Sequence, residues 1–425
     1  MDQSTVCLLI LLGMIICYIT RIIPAAVTSV IGALLTALLG VNSIQNVTAQ
    51  FANDVVLLLI GVMIIGEAFF EVGLADDLGR FLEKRFSNNA KLFLIMMIAL
   101  SAIVAAFISN TATVALFIPL LGSVERSSGG KIRKGNVLMA LSFASVLGGN
   151  ATLFGSTPQL AVQSILEKSE VEGVRPLGVF ELTKCAVPLI VLLILFYVFV
   201  GDRLQKKLFH FDDAVLPEEA QRVEKTAPLY KKIIVLVTYL ACIVIFVIGI
   251  IPVGVTALLG ASVCIALRCI SQKKAFKSVE WGTVIMLCGI LAFSDSFTKS
   301  GAGEKIVSFV LSLINENAVT PMLIYTIIIV CAVLLTSVMS NTAIAAMIAP
   351  IAIEMAHAVG ADPMTFVVGA ILAANISFCT PIATPPVAMT MSAGYKFSDY
   401  FIVGGLFTLV ATAYVLFGVP LICGF

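Results

Sequence analysis

The chain has 425 residues, of which 60% are hydrophobic and only 12% are charged, and its mean hydropathy is +1.09. Its formal net charge is +1, so the composition gives no support to nucleic-acid binding. Soluble domains of this length do not have such a composition, and many of the apolar runs are long enough to cross a bilayer. We therefore interpret the chain as a polytopic helical membrane protein.

The apolar segments form two groups that are separated by a polar stretch. The first group covers 5–20, 23–41, 54–72, 91–107, 111–124, 136–150, 159–166 and 178–201. Residues 202–232 carry charges of both signs and are predicted to be a cytoplasmic linker. The second group covers 233–249, 251–270, 281–298, 319–339, 343–358, 364–378, 386–392 and 400–423. The first apolar run lacks a basic flank and a small-residue cleavage site, so we expect a retained helix.

The two groups repeat each other in sequence. Pro24 and Pro158 have counterparts 228 residues later, in Pro252 and Pro386. The triplet Ser109-Asn110-Thr111 returns 231 residues later as Ser340-Asn341-Thr342. An ordered series of matches at a nearly constant offset indicates a duplication, with repeats at 1–201 and 233–425.

The basic residues predict the orientation of the repeats. With five spans in each half and each triplet at the turn of a re-entrant hairpin, nearly all basic residues lie on one side, the expected cytoplasm. The exceptions are Lys168, Arg175, Lys184, Lys299 and Lys305. Five spans also place both termini outside and insert the second half upside down. Counting each hairpin as two full spans leaves this parity unchanged, so the polar triplets and short arms are what favour re-entry.

We therefore predict an all-α polytopic membrane protein made of two inverted repeats. Each repeat has about five transmembrane spans, one re-entrant helical hairpin and one broken helix. The two hairpins enter from opposite sides, and their tips are expected to meet near the middle of the membrane.

Four polar breaks interrupt the apolar segments. Two are the triplets, and the others are the glycine- and proline-rich stretches 148–159 and 377–387. Such residues stop a helix and free its carbonyls, whereas a helix that restarts presents free amides. Carbonyl and hydroxyl oxygens suit a small cation such as sodium, and free amides suit an anion. No Lys or Arg lies in the four segments, so a co-bound cation would offset an anion's charge.

Other candidate features favour structural roles. Glu67 and Asp295 are matched intramembrane carboxylates, but both lie near a polar segment and are interpreted as helix-end acids. The segments 74–86 and 303–313 are predicted to be interfacial helices, most clearly the first, which is amphipathic. The ten cysteines form no CxxC pair and the two histidines lack metal-ligand neighbours, so zinc catalysis has no support.

At these residues the chain resembles the divalent anion/sodium symporter family, the SLC13-type dicarboxylate and citrate carriers. The resemblance rests on the two triplets and on Ala383-Thr384-Pro385-Pro386, with support from Gly155-Ser156-Thr157-Pro158. It spans residues 5–423. It implies an elevator-type transporter that works as a homodimer through its scaffold spans. The scaffold would be 5–41 and 233–270, and the moving transport parts would be 74–201 and 300–425.

The resemblance also implies roles for single residues. The first sodium ion would bind Ser109, Asn110 and the backbone at Gly155, and the second would bind Thr336, Asn341 and the backbone at Ala383. The substrate carboxylates would meet Asn110, Thr111, Ser156, Asn341, Thr342, Thr384 and Pro385. This chain departs from the family at three positions. Gln159 and Val387 stand where the family commonly has Asn, and Ala105 stands where a serine often assists the first cation.

We expect a secondary active transporter of small di- or tricarboxylate anions, coupled to Na⁺, in the bacterial inner (plasma) membrane. A sodium-independent dicarboxylate exchanger and a carrier of sulfate or another inorganic anion remain open. A Na⁺/H⁺ carrier is disfavoured because no carboxylate lies beside the triplets. An intramembrane enzyme would need a nucleophile–base pair or a carboxylate dyad, and Glu67 and Asp295 lie in different halves. A passive channel would not need inverted hairpins.

Overall fold

The computed structural model describes residues 2–74, 77, 89–128, 132–208, 227–313, 319–381 and 383–425, and these contain helices, turns and loops. The helices of the first half are α1 (Gln3–Thr20), α2 (Ala25–Leu38), α3 (Ile44–Ala49), α4 (Asp54–Glu71), α5 (Ala90–Ala105), α6 (Asn110–Ser127), α7 (Lys134–Gly149), α8 (Thr157–Leu166), α9 (Thr183–Phe196) and α10 (Asp202–Leu208). A π-helical turn, Tyr197–Gly201, joins α9 to α10, so residues 202–208 of the predicted linker are helical.

The second half follows the same order. Its helices are α11 (Leu229–Ile248), α12 (Val253–Ala266), α13 (Gln272–Ser278), α14 (Trp281–Lys299), α15 (Ala302–Leu313), α16 (Pro321–Thr336), α17 (Asn341–Ala358), α18 (Pro363–Ala374), α19 (Pro385–Met389), α20 (Phe397–Asp399) and α21 (Gly405–Cys423). Each predicted apolar segment overlaps one of these helices. The predicted helix at 303–313 is present as α15, whereas most of the one at 74–86 lies outside the described residues.

The backbone repeats at the offset found in the sequence. Left-handed conformations end α1 at Arg21 and α11 at Gly249, with φ of 56° and 73°. They recur after α2 at Gly40 and after α12 at Arg268, with φ of 74° and 55°. Each pair is separated by 228 residues, so the duplication extends to the turns.

Contacts between the halves favour an inverted relation. Glu71, the last residue of α4, pairs with Lys274, which lies just before α14. In the reciprocal contact, Asn42, which lies before α4, donates to Asp295 Oδ2 near the end of α14 at 2.8 Å. Each helix thus ends beside the segment that leads into its counterpart, so α4 and α14 run in opposite directions.

Small residues let the halves pack closely. Helix α4 packs along α12, and α2 packs along α14. A Cβ on Gly61 would lie 2.4 Å from the carbonyl carbon of Ala257, and one on Gly289 would lie 2.6 Å from that of Ser29. Such close backbone approach is typical of helix interfaces in membranes. The four helices therefore form one bundle to which both halves contribute.

Burial separates an inner group of helices from a lipid-facing group. Every residue of α18 is buried, and 78% of α17 is buried, whereas only 17% of α11 is. Within the described residues, seven helical stretches are long and apolar enough to cross a membrane, and six shorter apolar helices accompany them. Helices that are apolar on all sides suit a membrane interior. The chain is an integral membrane protein.

Candidate anion and cation site

The two triplets lie at the turns of helical hairpins. Helix α5 ends at Ala105 and α6 begins at Asn110, while α16 ends at Thr336 and α17 begins at Asn341. The arms α5 and α16 have 16 residues each, which gives about 24 Å of helix. That length falls short of a hydrocarbon core of about 30 Å, but α2 and α12 are shorter still, with 14 residues each. The polar turn between the arms, rather than their length, is therefore what favours re-entrant hairpins.

The four polar breaks line one cavity of about 180 Å³, here called the central cavity. The sequence-predicted site residues on its wall are Ser109, Asn110, Thr111, Gly155, Ser156, Asn341, Thr342, Ala383, Thr384 and Pro385. Thr336 is buried behind them and contacts Asn341. Leu59, Val62 and Met63 of α4 form an apolar part of the wall. The structure thus brings together residues that the sequence places far apart.

The cavity is built from both halves at once. Helix α17 of the second half packs on α8 of the first, and α19 of the second half packs on α6 of the first. The hydroxyl oxygens of Thr157 and Thr342, one from each half, lie 2.5 Å apart. A ligand in the cavity would therefore contact both halves.

Helices that begin at the cavity have uncapped N-termini. Ser156 precedes α8, Ser340 precedes α17 and Thr384 precedes α19, and none of the three makes a side-chain capping bond. Elsewhere Ser43 and Ser271 cap their helices, whereas α2, α11 and α12 begin after prolines and are uncapped too, so the position at the cavity is what matters. Uncapped amides at the positive end of a helix, such as those of Asn341 and Thr342 at the start of α17, are ready donors to an anion. Helix α19 begins with Pro385 and Pro386, which have no amide hydrogen, so its start offers fewer donors.

Charged side chains are nearly absent from the cavity wall. Among the lining residues that the structure describes, Glu280 at the start of α14 is the one with a charged side chain, and Thr283 donates to it at 3.2 Å. A bound anion would be held by amides and hydroxyls and would gain from a neighbouring cation, because the surroundings have a low dielectric constant.

At the cavity in the second half, the oxygen atoms that can accept a hydrogen bond outnumber the hydrogen atoms that can be donated to them. Thr336 Oγ1 lies 2.8 Å from Asn341 Oδ1 and 2.5 Å from the carbonyl oxygen of Ala374. A hydroxyl has a single hydrogen, so it donates to one of the two at a time. Nearby, Ser377 and Thr384 have buried hydroxyls with no hydrogen-bond partner among the described residues. An oxygen-rich donor set of this kind fits a small hard cation such as Na⁺.

The first half has a different hydrogen-bond pattern. Gln159 Nε2 donates to the carbonyl oxygen of Gly149 and to Asn150 Oδ1, both at 2.9 Å. Asn110 Oδ1 is buried without a partner among the described residues. A Cβ on Gly155 would lie 2.6 Å from the Gly149 carbonyl oxygen, so a side chain at this position would collide with the backbone.

Two asparagines beside the site have no role in the sequence prediction. Asn150 follows α7 and Asn375 follows α18, and both are fully or almost fully buried. Asn375 Oδ1 accepts a hydrogen bond from Asn341 Nδ2 at 3.3 Å. Each asparagine directly follows a largely buried helix of its repeat.

A second cavity, of about 850 Å³, lies at the opposite end of α14 and is here called the charged cavity. Its wall includes Lys168, Asp295, Lys299, Glu304 and Glu354. Asp295 accepts from Lys299 at 2.9 Å, as expected of a helix-end acid.

The charged cavity borders side-chain contacts between α8 and the segment before α4. Lys168, just after α8, donates to Gln50, and burial lowers the pKa of its amino group. Asn53 Nδ2 donates to Ser164 Oγ at 2.9 Å. Side chains rather than backbone therefore join α8 to this segment.

Comparison with known proteins identifies relatives along most of the chain. A family model described as citrate transporter matches residues 14–369. The sodium-dependent dicarboxylate transporter SdcS of Staphylococcus saprophyticus is 26% identical over 430 residues, which cover 92% of this chain and 81% of that protein. An uncharacterised transporter of Methanocaldococcus jannaschii is 23% identical over 404 residues, which cover 93% and 88%. The family resemblance seen in the sequence is confirmed.

Solved structures share the fold. The YdaH transporter of Alcanivorax borkumensis matches with a TM-score of 0.64 and 14% identity over 91% of this chain and 87% of that one. MtrF of Neisseria gonorrhoeae, described with a class of antimetabolite efflux pumps, matches with a TM-score of 0.63 and 15% identity over 90% and 84%. The described part of the chain therefore has a transporter fold.

Proposed function

The chain belongs to the citrate transporter family, and we propose that it is a secondary active transporter that carries small di- or tricarboxylate anions by sodium symport. The observation that carries the proposal is the pair of uncapped helix N-termini after Ser156 and Ser340 at the central cavity. Carboxylates bind such amides without a basic side chain. The substrate contacts would be Asn110, Thr111, Ser156, Asn341, Thr342, Thr384 and Pro385.

Sodium coupling is supported by the oxygen-rich donor set of the second half. Thr336, Asn341 and the backbone near Ala374 and Ala383 would hold the cation, which would offset the charge of the anion beside it. The name of the SdcS relatives, sodium-dependent dicarboxylate transporter, points the same way. In this scheme the empty carrier would bind sodium first and then gain affinity for the anion.

For the transport cycle we propose an elevator. The bundle of α2, α4, α12 and α14 would remain fixed, and the hairpins with α7, α8, α18 and α19 would slide past it. The central cavity reaches Glu280, close to the basic stretch 268–277 that is predicted to be cytoplasmic. The present conformation would thus face inward, in a bacterial inner membrane with both termini outside. The exposed apolar sides of α1, α2, α11 and α12 would face lipid and, in a homodimer, the second copy.

Uptake into proteoliposomes tests the proposal. Labelled succinate, malate, citrate and sulfate would each be offered with and without an inward sodium gradient. We expect carboxylate uptake that a sodium gradient accelerates. Uptake that is independent of sodium but requires dicarboxylate inside the vesicle would show exchange instead of symport. Uptake of sulfate but of none of the carboxylates would show that the substrate class is wrong.

A further inference from the structure

Two equivalent backbone carbonyls, one in each half, have different hydrogen-bond donors. Gly149 is the last residue of α7, and Ala374 is the last residue of its counterpart α18. The carbonyl oxygen of Ala374 lies 2.5 Å from the Thr336 hydroxyl. The carbonyl oxygen of Gly149 instead accepts from the side-chain amide of Gln159 at 2.9 Å. The same acceptor thus has a hydroxyl partner in one half and an amide partner in the other.

In each half, only one of the two positions carries a side chain that can donate a hydrogen bond. The position equivalent to Thr336 in the first half is Ala105, and the position equivalent to Gln159 in the second half is Val387. Ala105 and Val387 are both fully buried and offer no side-chain hydrogen bond. Each half therefore carries one donor and an apolar residue in place of the other.

The two halves differ in whether every acceptor oxygen has a donated hydrogen, and an oxygen without one is available to a cation. In the second half one hydroxyl hydrogen serves two oxygens, those of Asn341 and Ala374, so one of them always remains free. In the first half the two amide hydrogens of Gln159 serve two oxygens, those of Gly149 and Asn150, and neither remains free.

Few fully buried acceptors are left in the first half. Among the buried side-chain oxygens at this site, Asn110 Oδ1 and Gln159 Oε1 have no partner among the described residues, while the hydroxyls of Ser109, Thr111 and Ser156 lie on the cavity wall, where the anion is proposed to bind. Hard cations in proteins take about six oxygen ligands. The amide hydrogens of Gln159 also carry partial positive charge and would repel a cation placed against Gly149 and Asn150.

We propose that the side-chain amide of Gln159 takes the place of a cation in the first half, so that each chain binds one sodium ion, in the second half. The inference rests on the proposed sodium coupling but concerns the number of ions. Gln159 acts as a positioning residue, because it fixes the Gly149 carbonyl and the Asn150 side chain that a cation would otherwise organise. Ser109 and Asn110 then serve the anion alone.

Binding of labelled sodium to the purified protein, with no anion present, tests the inference. We expect saturation at about one ion per chain, and loss of that binding in Thr336→Val. The double variant Ala105→Thr/Gln159→Val copies the second half into the first, and we expect it to bind about two ions per chain. Two ions per chain in the unmodified protein would overturn the proposal. Binding that survives Thr336→Val but is lost in Gln159→Val would overturn it too.

A variant with the opposite change keeps the test decisive if the double variant does not fold. Val387→Gln places an amide in the second half, and we expect it to abolish sodium binding while size-exclusion behaviour is retained. A folded Val387→Gln protein that still binds one ion would contradict the proposal. Because the readout needs no substrate, failure of the transport proposal is distinguishable: a chain that binds one sodium ion but carries no carboxylate refutes the function and leaves the ion count standing.

Discussion

The hydroxyl oxygens of Thr157 and Thr342 lie 2.5 Å apart and join the first turn of α8 to the first turn of α17. One helix belongs to the first half and the other to the second, so this hydrogen bond links the two repeats at the wall of the central cavity. Neither repeat alone holds a complete site. Any anion bound here would contact helix starts from both.

Replacement of these two threonines is expected to be strongly non-additive. Thr157→Val and Thr342→Val each remove the same hydrogen bond, so the second substitution has little left to remove. We expect a coupling of about 1 kcal/mol in the free energy of unfolding, the usual net worth of one hydrogen bond. The two single variants and the double variant would be compared by thermal unfolding in detergent. Additive losses would contradict the contact.

The asparagines of the two triplets are expected to differ in their effect on the sodium dependence of uptake. Asn341 contacts Thr336 and Asn375, so Asn341→Ala should raise the sodium concentration for half-maximal uptake at least about tenfold, or about 1.4 kcal/mol. Asn110→Ala should mainly raise the KM for the anion. Sodium dependence and anion dependence of uptake would be measured for both. If both variants keep full transport and sodium dependence, the site assignment is wrong.

The starts and ends of several helices could be predicted from the sequence, but the end of α18 and the contacts between the halves could not. Proline, glycine and the polar triplets act locally, so α8 begins within two residues of its predicted start at 159. Asn375 lies inside the predicted run 364–378, where its apolar neighbours hide the end of α18. The two bonds of Gln159 and the approach of Thr157 to Thr342 depend on how separate helices pack. No local pattern encodes that packing.

Close packing beneath the first hairpin predicts that Gly148 tolerates no side chain. A Cβ on Gly148 would lie 2.2 Å from the backbone carbonyl oxygen of Ala102, so α5 and α7 would have to separate. We expect Gly148→Ala to destabilise the protein by about 1–3 kcal/mol, the usual cost of overpacking. Thermal unfolding would measure the loss.

Gly282→Ala provides the matched control for this substitution. Gly282 also lies in a helix, but nothing lies within 4 Å of the position of an added Cβ. The same exchange should therefore be neutral or stabilise the protein by up to about 1 kcal/mol, since Ala is the better helix former. Equal effects of the two substitutions would show that the α5–α7 contact is looser than described.

Cross-linking across the charged cavity tests the proposed elevator motion. Asn53 and Ser164 are in hydrogen-bond contact at 2.9 Å, one before α4 and the other in α8. If α8 slides past α4, a bond between Asn53→Cys and Ser164→Cys should stop uptake, and a reductant should restore it. Each single variant serves as a control, because Asn53 also caps α4 and its loss alone costs about 1 kcal/mol.

A second cross-link within the proposed fixed bundle makes the test specific. The hydroxyl oxygens of Thr36 and Ser296, in α2 and α14, lie 2.8 Å apart. A link between Thr36→Cys and Ser296→Cys joins two helices that would not move relative to each other, so uptake should persist. Both pairs belong in a Cys423→Ser background, because the sulfur atoms of Cys185 and Cys423 lie 3.7 Å apart and could cross-link by themselves. Full uptake by the protein linked between positions 53 and 164 would rule out the sliding of α8 against α4.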